Sequence, residues 1–76
     1  YLLGNAYFAD NQRSKAIEAY NEAIRLAPSF ARARYNLGRL LVVEKEKGLA
    51  TIQYNALTAI DKGLAATLKA EIDKLP

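Results

Sequence analysis

The sequence predicts an all-α chain, an antiparallel helix-hairpin solenoid of about five helices. Three observations carry that prediction. Residues recur at a spacing of 34: Leu3-Gly4 returns as Leu37-Gly38, Ala16 as Ala50, Tyr20 as Tyr54 and Asn21 as Asn55. Self-similarity at such a period marks a solenoid built from one supersecondary unit. Apolar residues between the breaks follow the helical period, and no stretch keeps up the period-two alternation of a strand.

The first helix is read from Tyr1 to Ala9, ending at the turn-favouring pair Asp10-Asn11. A second follows Ser14, taken as its N-cap, and runs to Leu26 with Ala16, Ile17, Tyr20, Ala23 and Ile24 at i+3 and i+4 spacings. Pro28 stops it, and a third helix starts near Ser29, again a capping type, and runs to Val43. The charged turn Glu44-Lys45-Glu46-Lys47-Gly48 precedes a fourth helix over 49–60, which Asp61-Lys62-Gly63 breaks. A fifth over 64–75 carries Leu64, Leu68, Ile72 and Leu75 on one stripe. Connections this short make consecutive helices antiparallel.

Helical projection assigns faces. In the third helix Ala33, Leu37, Leu40 and Leu41 share one side, with Arg32, Tyr35, Asn36, Arg39 and Val43 opposite. In the first, Leu2, Leu3 and Ala6 are expected to pack, with Tyr1, Asn5 and Phe8 on the other stripe. Gly4 and Gly38 sit in mid-helix, where glycine costs about 1 kcal/mol relative to alanine. A close approach of two helix backbones, aided by Ala16, Ala23 and Ala50, is the expected compensation.

Composition narrows the function. The 76 residues hold 51% apolar and 25% charged side chains, too apolar for a disordered chain. There is no cysteine and no histidine, which removes disulfides, thiolate metal sites and the commonest catalytic bases and nucleophiles. The lack of cysteine fits a reducing compartment such as the cytoplasm without deciding localisation. Apolar runs such as Leu40–Val43 fall far short of a membrane span. The chain has no initiator methionine and opens inside a helical pattern, so it reads as an excerpt. Glu44 and Glu46 are two apart and would diverge on a helix rather than flank a substrate. Neither an enzyme nor a cofactor or metal site is expected.

The net charge of +3 is unevenly spread. Between Glu22 and Glu44 every charged residue is an arginine: Arg25, Arg32, Arg34 and Arg39. Arginine's planar fork suits carboxylates and phosphates, but the limited charge argues against nucleic acid.

The spacing of these residues resembles the tetratricopeptide repeat, W-x-x-L-G-x-x-Y followed by A-x-x-x-F and a proline. Leu3-Gly4, Tyr7, Ala16, Tyr20 in place of Phe, Ala23 and Pro28 match in the first unit. The second keeps Leu37-Gly38, Ala50 and Tyr54 but places Arg34, Leu41, Leu57 and Lys62 at signature sites. The resemblance implies one unit over 1–30, a degenerate one over 31–63, and a capping helix over 64–76 that closes a solenoid whose other repeats lie upstream. The tail is similar to the ends of many bacterial members.

It also implies a function. First helices of such pairs line a concave groove, which here places Tyr1, Asn5, Phe8, Arg32, Tyr35, Asn36, Arg39 and Val42 towards a partner. Asn5 and Asn36 stand where members that grip extended peptides use asparagine on the ligand backbone. Tyr1 replaces the lysine of members that clamp a C-terminal carboxylate. The expected role is a scaffold for a protein or extended, acidic peptide. The alternative is a purely structural end of the solenoid, or self-association, without a ligand of its own.

Overall fold

A computed structural model describes residues 2–76. It contains five helices and no strand among the described residues: α1 (Leu2–Ala9), α2 (Arg13–Leu26), α3 (Ala31–Val43), α4 (Lys47–Thr58) and α5 (Lys62–Asp73). Each helix packs on the next, and α5 also returns against α3. Helices α1, α3 and α5 thus form one layer and α2 and α4 the other.

The first two reversals within the hairpins are copies of each other. After α1, Gln12 N–H donates to Tyr7 O at 2.8 Å and Asn11 N–H to Phe8 O at 3.0 Å; after α3, Glu46 N–H donates to Leu41 O at 2.8 Å and Lys45 N–H to Val42 O at 2.9 Å. This paired closure satisfies the last carbonyls of a helix and needs a left-handed residue at its corner. Asn11 (φ 59°) and Lys45 (φ 60°) supply it, 34 positions apart. The repeat therefore extends to backbone conformation.

These closures shift the helix starts from those expected. Gln12 and Glu46 end one helix and begin the next, so α2 starts at Arg13 with Ser14 already inside its first turn, and α4 starts at Lys47. No side chain caps α2. Ser29 does not cap α3 either: Phe30 holds that position, after its N–H closes a turn onto Ala27 O at 2.9 Å. The one side-chain cap among the described helices is Asp61, whose Oδ1 accepts from Leu64 N–H at 3.0 Å. That cap draws Lys62 and Gly63 into α5 rather than leaving them as a break.

The core runs through α3. Ala33, Leu37, Leu40 and Leu41 are buried, as projection predicts, and the three leucines cluster with Ala16 and Tyr20 of α2, Ala50 and Leu57 of α4, and Ala65, Leu68 and Ile72 of α5. Burying a leucine side chain contributes about 1.5–3 kcal/mol, so α3 is the element on which the others depend.

Two expectations about α1 are corrected. Leu2 and Leu3 do not pack: they are 72% and 60% exposed, and Ala6 is exposed as well. Leu37, 34 positions on, is 2% exposed and belongs to the core cluster against which Ile17 of α2 also packs. Leu3 instead borders an open depression beside Ala19 and Ala23 of α2. The mid-helix glycines, secondly, admit side chains rather than a second backbone. A Cβ on Gly4 would stand 2.6 Å from Cε1 of the Tyr20 ring, and one on Gly38 would stand 2.5 Å from Cδ2 of Leu68.

Candidate functional site

Asn5, Phe8 and Ala9 lie three and four residues apart and so share a stripe of α1. Asn36 and Arg39 do the same on α3. The two stripes face across an open depression of about 430 Å³, with Tyr20 of α2 as the remaining wall. Four of the residues expected on a groove, Asn5, Phe8, Asn36 and Arg39, are thereby brought together.

A hydrogen-bond triad organises the depression. Tyr20 Oη donates to Asn5 Oδ1 at 2.5 Å, and Asn36 Nδ2 donates to the same oxygen at 2.9 Å. A carbonyl oxygen has two lone pairs, and both are used. The Asn5 Nδ2 and the Asn36 Oδ1 are left without a partner among the described residues. The site can therefore offer a donor and an acceptor side by side.

Arg39 adds the charge. It is exposed, and its guanidinium lies 5.7 Å from the centre of the Tyr35 ring one turn back on α3. Such stacking is worth about 0.5–1 kcal/mol at an exposed site and leaves the guanidinium edge open to an anion. Arg32 is exposed on the same helix, two turns before Arg39. The other two arginines of the cluster are engaged elsewhere. Arg34 donates from Nε to Pro28 O at 2.7 Å and from Nη1 to Gln53 Oε1 at 3.2 Å, tying the turn before α3 to α4. Arg25 donates from Nε to Glu22 at 2.9 Å, and that hydrogen bond holds the Glu22 carboxyl below its ordinary pKa.

The remaining candidates stand apart from the depression. Tyr35 and Val42 are half-buried and pack against the core. Tyr1 lies outside the described residues. Tyr20 was not among the expected groove residues: its signature position marks it as core, and its ring is fully buried. Only the hydroxyl, present because Tyr stands where the signature has Phe, could have signalled a polar role. Among the described residues no group of three or more acidic side chains could hold a metal ion, and no helix is long and apolar enough to cross a membrane.

A family model described as TPR repeat matches residues 4–42, from the glycine of α1 to the penultimate residue of α3. The chain belongs to the tetratricopeptide-repeat family. The similar curated proteins are fungal receptors. It is 51% identical over 35 residues to the peroxisomal targeting signal receptors of Saccharomyces cerevisiae and Candida glabrata, covering 46% of this chain and 6% of each receptor. The corresponding receptor of Candida albicans is 47% identical over 36 residues, covering 47% of this chain and 6% of the receptor. The chain thus spans a small part of the length of the relatives it matches. No solved structure gives a significant match. Family and relatives together point to protein–protein interaction.

Proposed function

We propose that this chain is a protein-interaction module whose depression between α1 and α3 holds an extended segment of a partner polypeptide. The observation that carries the reading is the pair of unpaired amide groups, Asn5 Nδ2 and Asn36 Oδ1, lining one open cleft with the exposed Arg39. A backbone peptide unit needs one donor for its C=O and one acceptor for its N–H. Arg39, with Arg32 farther along α3, suits acidic side chains on either side of that unit. The relatives are receptors for a targeting signal, and a short polypeptide segment is the class of ligand this cleft fits. In this reading 1–30 and 31–63 act as the groove-forming units and residues 64–76 as the cap on their core. No catalytic role, cofactor or nucleic-acid partner enters it.

The test is fluorescence anisotropy with a short capped peptide of alternating aspartate and alanine. Arg39→Glu should weaken its binding at least tenfold while the circular dichroism spectrum stays helical. Equal binding by the variant rejects the cleft as the site.

Self-association is the second reading, and one feature favours it. Leu3, Ala19, Ala23, Leu26, Ala27 and Phe30, with Glu22 among them, line a separate, largely apolar depression of about 420 Å³ on the α1–α2 side, with Leu26 70% exposed. Sedimentation across a concentration series decides: a monomer at all concentrations removes this reading.

A further inference from the structure

We infer that Tyr20 is a positioning residue of the cleft: its hydroxyl fixes the Asn5 amide so that Nδ2 is presented as donor, with Asn36 Oδ1 as the acceptor beside it. The inference rests on the peptide-binding reading above. A free asparagine amide rotates about a broad, two-fold χ2 and presents its oxygen or its nitrogen with similar ease. Here the oxygen is claimed twice, by Tyr20 Oη and by Asn36 Nδ2. The nitrogen is left without a partner among the described residues, on a residue that lines the cleft.

The Tyr20 hydroxyl is itself held in place. The ring is fully buried and lies against Gly4, so the Oη cannot leave Asn5 without disturbing α1. Phenylalanine would pack in the same way yet leave Asn5 with a single tether, Asn36. The arrangement is confined to the first unit. The residue 34 positions after Asn5 is Arg39, which has only donors, so Tyr54 has no oxygen there to donate to. The consequence for a ligand is polarity across the cleft: a peptide unit offers its C=O to Asn5 on α1 and its N–H to Asn36 on α3, whichever way the chain runs.

The experiment compares the wild-type 76-residue chain with Tyr20→Phe, using side-chain amide NMR spectra without ligand and anisotropy with the capped aspartate–alanine peptide. The expected result is a folded variant whose Asn5 amide resonances move towards those of a free asparagine. Its peptide affinity should fall about three- to tenfold, the range of one hydrogen bond. Unchanged Asn5 resonances, or unchanged affinity, overturn the inference. If the wild type binds no peptide, the cleft reading fails, while the amide spectrum still decides whether Tyr20 positions Asn5. Should Tyr20→Phe not fold, Asn5→Asp serves instead. Its carboxylate accepts both existing bonds but has no donor, so it should fold and lose the peptide. Retained affinity overturns the inference.

Discussion

Gly4 and Tyr20 fit together as notch and ring: a Cβ on Gly4 would lie 2.6 and 2.7 Å from Cε1 and Cδ1 of Tyr20. This contact joins α1 to α2 and delivers the Tyr20 hydroxyl to Asn5. Packing and the chemistry of the cleft are thus coupled at one position.

The first prediction separates the two glycines. Gly4→Ala gains about 1 kcal/mol of helix propensity but drives a methyl into a rigid, buried ring, an overpacking cost of about 1–3 kcal/mol. At Gly38 the obstacle is the branched end of Leu68, whose methyls can rotate away. Urea denaturation should show Gly4→Ala less stable than wild type, by about 1 kcal/mol, and Gly38→Ala closer to it. The reverse order would mean that the ring, not the leucine, yields.

The two left-handed corners differ in how well their residues suit them. Asparagine tolerates φ near 60°, whereas lysine there bears a cost of about 1–2 kcal/mol. Lys45→Gly should therefore raise stability by up to about 1 kcal/mol, after the greater freedom of glycine in the unfolded chain is counted. Asn11→Gly should change it less. Thermal melts of the two variants measure the difference directly.

A third expectation concerns α5. Asp61 supplies the one side-chain cap seen among the described helices. Asp61→Ala should cost about 1 kcal/mol, and it should act first on the α5 amides, visible as faster hydrogen exchange at Leu64 and Ala65. Uniform loss of protection across all five helices would instead show that α5 does not open by itself.

Much of this was legible in the residues. The 34-residue echo announced helix pairs, and projection of α3 found the buried side, because an apolar stripe at helical period has to be covered by something. What covers it is a matter of tertiary placement. Leu3 is the counterpart of Leu37 but only borders an open depression beside α2, and it stays 60% exposed. Gly38 receives Leu68 of α5, whereas its repeat counterpart Gly4 receives Tyr20 of the following helix. Ser14 and Ser29 have the right chemistry for caps, but the hydrogen-bonded turns before them set the helix starts elsewhere. Spacing and resemblance put Asn5, Asn36 and Arg39 among the groove candidates, and the three line one depression. The bond from Tyr20 into that cleft could not be read in this way, because a buried aromatic in a repeat signature reads as core whether or not it ends in a hydroxyl.

The most direct test of the central claim is a two-dimensional amide NMR titration of the wild-type chain with the capped aspartate–alanine peptide. Peptide held in the cleft should shift the resonances of Asn5, Phe8, Asn36 and Arg39 together and saturate with one affinity. Shifts confined to Leu3, Leu26 and Phe30, or none at all, would contradict it.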